Sequence, residues 1–355
     1  MRHDRWRPHP SPYTPRTASA MKRLRLPLDP YILSLLGTVL LAALLPARGG
    51  AASGVSGAST AAVALLFFLY GARLSTAEAL DGLRHWRLHV TVLAATFVVF
   101  PLLGLAAYAL RPWLLSPDLF TGFLFLTLVP STIQSSIAFT SLARGNVPAA
   151  ICAGSFSSLF GIVLTPLLAA ALLGDSGGGF SAASLGKIVV QLLLPFLAGQ
   201  FLRRWVGGFL TRHKKVLGYV DRGSILLVVY TAFSEGMVRG IWHQVTVPRL
   251  LALLLAEAVL LAAMLGLTWW GAGRLGFPRA DRVAIQFAGS KKSLASGLPM
   301  ASVLFGAHAS LAVLPLMVFH QMQLMVCAVI ARRRAAETAP AESAEVAAVT
   351  GSGGG

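Results

Sequence analysis

The sequence predicts an all-α polytopic membrane protein of ten transmembrane helices. Three observations predict it. The 355 residues are 55% hydrophobic and only 12% charged, with mean hydropathy +0.70, where a soluble domain carries about 25% charge. The apolar residues gather into ten runs, most near the ~20 residues that a crossing helix needs. The basic residues fall unevenly between alternate connections, as they do in inserted helices.

The chain opens with "MRHDRWRPHPSPYTPRTASAMKRLRLPLDP", Arg- and Pro-rich, with neither the apolar core nor the cleavage site of a secretory signal. Residues 1–30 read as a disordered cytoplasmic tail, and Met21 as an alternative start. Apolar runs follow at 31–46, 56–73, 88–110, 119–142, 147–173, 184–202, 224–239, 247–273, 281–304 and 308–331. Residues 31–331 form the transmembrane domain, and 332–355, of low complexity, a disordered cytoplasmic tail. With the N-terminus inside, the inside segments hold 23 of the 30 Lys and Arg residues and the outside segments 5, leaving Lys291 and Lys292 within span nine. Both termini are therefore cytoplasmic, and the expected location is the plasma membrane, the inner membrane of a bacterium.

A net charge of +17 could suggest nucleic acid. Its confinement to short connections points to membrane topology instead. Cys152 and Cys327 both lie in apolar runs and read as packing residues, with no Cys/His cluster for zinc. An intramembrane protease would need paired aspartates, HExxH or a Ser–His dyad, and none is found; a retinal receptor would need an aspartate near its lysine. No enzyme and no cofactor are expected. A channel or a non-transporting regulator of ion homeostasis is the rival to a transporter.

Five plus five spans make an inverted repeat, about 31–173 and 184–331, in which spans four and nine correspond. Span four contains "VPSTIQSSIAFTSL" and span nine "FAGSKKSLASGL"; Gln134-Ser135-Ser136-Ile137-Ala138 over Lys291-Lys292-Ser293-Leu294-Ala295 matches Ser, aliphatic and Ala. Interrupted helices at equivalent places point to a secondary transporter's midplane site. Pro130 removes an N–H and clashes with the preceding turn, and Ser131 and Thr132 can cap a restarting half-helix. Gly289, followed by Ser290, can end a first half-helix and leave carbonyls unpaired. Such carbonyls bind ions only where backbone is buried or lines a wet cavity.

"LVPSTIQSSIAFTSLARGNVPAAICAGSFSSLFGIVLTP" and "IQFAGSKKSLASGLPMASVLFG" resemble the crossing-helix motifs of the bile acid:sodium symporter family. "YTAFSEGMVRGIW" and "FFLYGARLSTAEAL" fit the branch that includes sodium/bile acid cotransporter 7. The resemblance runs from about Pro27 to Arg334. It implies ten helices, a panel and a core domain, and two unwound helices crossing at the ion site. The family's Pro and Ser-Asn fall on Pro130, Ser135 and Ser136, with Asn replaced by Ser. Its ion-binding Glu falls on Phe287, the following Gln on Lys291 and its Asn on Lys292. Hydroxyl ligands of span five fall near Ala150 and Gly154, with Ser155, Ser157 and Ser158 close by. The resemblance thus implies a symporter moving a small anionic organic solute by alternating access, with its sodium-coordinating pattern lost. Sodium or a proton is the candidate coupling ion.

A lysine ammonium has three donors, and neighbouring residues point in different directions. Lys291 is expected to take up the carbonyls of the broken helix in place of a metal ion and to pair with Glu235 of span seven. Lys292 is expected to face a neighbour. Glu257 reads as a buried hydrogen-bonded acid, and His320, Gln321 and Gln323 as packing polar groups. The candidate site is Pro130, Ser131, Thr132, Gln134, Ser135, Ser136, Ser155, Ser158, Glu235, Gly289, Ser290, Lys291, Lys292 and Ser293. The partners expected are the solute and the lipid bilayer, with no nucleic acid.

Overall fold

The computed structural model describes residues 30–73, 85–110, 116–173, 182–238, 240, 246–305 and 309–351. Residues 1–29, the expected N-terminal tail almost entirely, lie outside them. The described residues are helical, with no strand among them. The helices are α1 Pro30–Leu44, α2 Gly49–Arg73, α3 Trp86–Ala94, α4 Phe100–Ala106, α5 Pro117–Leu128, α6 Ile133–Leu142, α7 Val147–Leu173, α8 Ala182–Arg212, α9 Lys214–Val238, α10 Val247–Arg274, α11 Arg279–Gly289, α12 Leu294–Phe305 and α13 Ala309–Gly351. A π-helical turn, Ala95–Val99, joins α3 to α4.

The helices follow the apolar runs, but not all are long and apolar enough to count as spans on their own. Six pass among the described residues, and the bent pair of α5 and α6 would be a seventh. Of the others, α8, 31 residues long, is not among the six, and the remaining three fall short for identifiable reasons. Leu33–Leu44 of α1 is short, and α11 and α12 are half-helices whose link carries Lys291 and Lys292. The stretch 332–351, expected to be disordered, continues α13 as helix; it is rich in Ala, Glu and Arg, which favour helix.

The helices pack in two groups. In one, α1, α2, α8 and α9 lie against each other; in the other, α3 to α7 and α10 to α13 do. Within the first group α2 and α8 approach at backbone distance. A Cβ on Gly71 would strike the Phe196 carbonyl, and one on Gly199 the Phe68 carbonyl. Small residues permit this contact where no hydrophobic drive operates between helices. The largest apolar cluster, with Phe67, Phe100, Phe125, Phe287 and Phe319 fully buried, runs through both groups. Outward-facing Leu40, Leu194, Leu255 and Trp270 are exposed, as a lipid-facing surface requires.

Candidate functional site

Two interrupted helices meet in the second group. Val129 before Pro130 is extended, as a residue preceding proline prefers, so α5 stops and α6 restarts at a 65° bend. On the other side α11 ends at Gly289 and α12 begins at Leu294. Each break leaves helix-end carbonyls without intrahelical partners, and the two breaks satisfy one another. Ser131 Oγ donates to Ala288 O at 2.5 Å, Ser136 Oγ to Phe287 O at 3.0 Å, and Thr132 Oγ1 to Lys292 O at 2.7 Å. The Ser293 N–H returns a bond to Pro130 O at 2.8 Å. From α7, Ser157 Oγ accepts the Ser131 N–H at 2.9 Å and Thr165 Oγ1 donates to Leu128 O at 2.8 Å. A Cβ on Gly161 of α7 would lie 2.7 Å from Pro130 Cβ, so glycine there lets the break seat.

Lys292 holds what remains. Its ammonium donates to Thr96 O at 2.9 Å, Thr127 O at 2.7 Å and Val129 O at 2.8 Å, and lies 4.1 Å from the centre of the Phe100 ring. The reason that three carbonyls are free is in the sequence. In the π turn the Phe100 N–H reaches Ala95 O, so the next bond of that register, to Thr96 O, would need an N–H from Pro101, which has none. Thr127 O lacks one partner because Pro130 has no N–H, and the other because the Ser131 N–H goes to Ser157. Lys292 is fully buried. Desolvating an ammonium costs several kcal/mol, and three charge-assisted bonds of about 1.5–3 kcal/mol each offset that. Gln323 of α13 brackets the Lys292 peptide, accepting its N–H on Oε1 at 2.9 Å and donating from Nε2 to its carbonyl at 2.8 Å.

The carbonyl-binding position expected of Lys291 is therefore filled by Lys292. Between two helix ends the chain sends successive side chains to opposite sides. Lys291 is equally buried but turns toward α6, its Nζ 3.8 Å from the centre of the Phe139 ring and 5.5 Å from that of Phe287, with no hydrogen-bond partner among the described residues. It makes no hydrogen bond to Glu235, which is half-buried on α9. Glu257 of α10 is also fully buried, but neither carboxyl oxygen has a hydrogen-bond partner among the described residues, contrary to the expected bonded acid.

The structure brings Pro130, Ser131, Thr132, Ser136, Gly289, Lys292 and Ser293 together at the crossing. Ser131 and Thr132 do not cap α6 as expected: Thr132 precedes the helix without a side-chain cap bond, because both hydroxyls reach across to the other break. Ser293 does cap α12, its Oγ accepting the Ser296 N–H at 3.2 Å. Ser290 bonds back to Gln286 O within its own chain segment. Of the span-five hydroxyls it is Ser157 that reaches the break; Ser155 and Ser158 stand half-buried on other faces of α7. Thr96, Thr127, Thr165 and Gln323 were not among the expected site residues. Only Pro101, five residues after Thr96, could have hinted at a freed carbonyl.

A cavity of about 1110 Å³ opens between the end of α2, α8, the start of α9 and the start of α6. Gln134, Gln200, Arg73, Arg203, Arg204 and Asp221 give its polar lining. Arg73 and Asp221 form an ion pair at 2.5 Å between α2 and α9, so the cationic groups beyond that pair outnumber the anionic. No cluster of His, Cys, Asp or Glu able to hold a metal occurs among the described residues.

Known proteins place this architecture. A 317-residue stretch, 89% of the chain, is 55% identical to an uncharacterized protein of Pseudomonas aeruginosa over 95% of its length. YfeH of Escherichia coli, provisionally named a symporter, is 50% identical over 90% of the chain and 96% of its own length. Sodium/bile acid cotransporter 7 of Mus musculus is 31% identical over 76% of the chain and 80% of its own length. The family profile matches residues 29–336. The resemblance read from the crossing-helix motifs holds, and an integral multi-pass membrane protein of transporter type follows from the apolar helices and the match together: the chain belongs to the SBF-like CPA transporter family.

Proposed function

We propose that this protein is a secondary active transporter, not an enzyme, and that it moves a small anionic organic solute by alternating access. The observation that carries the reading is the cavity, lined by Arg203 and Arg204 beyond the Arg73–Asp221 pair and by Gln134, at the start of a restarted helix. A basic cavity that ends at a broken helix gives an anion both long-range attraction and local donors. In this reading all ten helical segments cross the membrane. The helices α1, α2, α8 and α9 form a panel and the rest a core, and the whole domain is an inverted repeat, about 31–173 and 184–331, each half giving helices to both. The cavity opens to the cytoplasm, where both termini lie, and the membrane is the bacterial inner membrane.

Coupling belongs to the same proposal. The freed carbonyls Thr96 O, Thr127 O and Val129 O are those that a monovalent cation would seek, and the Lys292 ammonium holds all three. At the position where the family's acid is expected stands Phe287, fully buried and without an oxygen. These residues do not fit a sodium ion at the crossing, so transport proceeds without sodium, and a proton is the remaining candidate for coupling.

Reconstituted vesicles test the reading. Radiolabelled organic anions, each offered with an imposed proton gradient and again with the gradient collapsed by ionophore, should include one that accumulates above its external concentration only with the gradient. Equilibration without accumulation would make the protein a channel. No flux of any anion, with altered cation homeostasis in cells lacking the gene, would make it a regulator.

A further inference from the structure

Lys291 is the one lysine side chain that the crossing leaves unused. It is fully buried, and its ammonium has no hydrogen-bond partner among the described residues. What it has is the face of Phe139, 3.8 Å away, a weaker partner than any charge-assisted hydrogen bond. One turn earlier on the same face of α6 stands Ser135, whose buried Oγ also has no partner. The residue before it, Gln134, lines the basic cavity. An ammonium and a hydroxyl, each without a hydrogen-bond partner among the described residues, thus stand against one face of α6, next to the residue that lines the cavity. Buried polar groups in lipid-embedded proteins are rarely left without acceptors.

We infer that Lys291 and Ser135 receive the oxyanion group, carboxylate, sulfonate or phosphate, of the transported solute. The inference rests on the proposed transport of an anion and names the residues that bind it. Phe139 holds the ammonium in place. When an oxyanion arrives past Arg203 and Arg204, the flexible lysine stem swings the ammonium from the ring to the oxygens, and Ser135 donates its hydroxyl. Lys292 takes no part, because its three donors are already committed to carbonyls. A lipid headgroup is not the source of the oxyanion. The half-helices on either side of Lys291 have 11 and 12 residues, about 16 and 18 Å at 1.5 Å per residue, which puts the break far from either headgroup layer.

Pyridoxal 5′-phosphate, an anionic aldehyde that condenses with lysine amines, is the probe. Purified protein in phosphatidylcholine nanodiscs is treated with the probe, the imine is reduced with borohydride, and peptides are mapped by mass spectrometry. Lys291 should be modified and Lys292 not, and inorganic sulfate should protect Lys291. Ser135→Ala should slow the modification about tenfold, the worth of one hydrogen bond to a charged group. If Lys291 stays unmodified while Lys214 and Lys215 react, or if sulfate gives no protection, the inference is overturned. Concentrative uptake of an anion with Lys291 unmodified would sink this assignment alone. Protected modification of Lys291 without uptake of any anion would keep the site and sink the transport reading.

Discussion

Two adjacent lysines do different work because they lie in the non-helical link between two helix ends and meet different neighbours, and each has its own prediction. Replacing Lys292 with Met removes the donor from Thr96 O, Thr127 O and Val129 O at once. Loss of one side of a buried charged network costs about 3–5 kcal/mol, so K292M should lose most of its thermal stability or fail to give a monodisperse peak in size-exclusion chromatography. Lys292→Arg should not restore it, because a planar guanidinium cannot point donors at three converging carbonyls as an ammonium does. Lys291→Met should fold normally, since it gives up only a contact with an aromatic face worth about 0.5–2 kcal/mol. The carbonyl-holding role expected of Lys291 thus falls to Lys292. Lys291 and Lys292 read alike in sequence, and which one meets the carbonyls depends on a π turn 190 or more residues away. Gln323 hid for the same reason: a glutamine in an apolar helix looks like a packing residue until the peptide that it brackets is in view. Gln323→Leu leaves the Lys292 N–H and carbonyl each short of a partner and should cost about 2–4 kcal/mol in an unfolding experiment.

The elements are set by where backbone bonds cannot form. Pro130 and Gly289 announce the two breaks in the sequence, and the structure has both. The pairing of the breaks was legible only as a faint echo between the two segments. The π turn at Ala95–Val99 was not legible, because Pro101 in the middle of an apolar run reads only as a kink. The broken helix α6 carries a direct test of its orientation. Ser136 is fully buried with its hydroxyl on Phe287 O, whereas Ser135 is half-buried. In a background without Cys152 and Cys327, a cysteine at 135 should react with a small water-soluble thiol reagent and one at 136 should not. Equal labelling of both would mean that the crossing is looser than the hydrogen bonds describe. The α2–α8 contact predicts a different failure. Gly199→Leu drives a side chain into the Phe68 carbonyl, which can only be relieved by separating the helices, and should destabilise the protein by about 3 kcal/mol or more.

The whole molecule joins the crossing to a basic cavity, and the proposed sidedness rests on the distribution of lysine and arginine between connections. A cytoplasmic reporter should be active when fused at Gly355, and a periplasmic one when placed in the 174–182 connection; the opposite pattern would invert the cavity's opening. Much of this scale was readable: the positions of the helical segments, the two breaks and the family all follow from apolar runs, Pro130, Gly289 and the crossing motifs. The cavity was not, because Arg73, Arg203, Arg204 and Asp221 lie on three helices and look in sequence like ordinary topogenic charges. The central claim is that a tethered ammonium, not a metal ion, locks the crossing. It is tested most directly by the melting temperature of the purified protein across a sodium chloride series, with choline chloride keeping ionic strength constant. A ligand that binds only the native state stabilises it by mass action. No difference between the sodium and choline series is predicted. A saturable rise in melting temperature specific to sodium would contradict the account and place a metal site at the crossing after all.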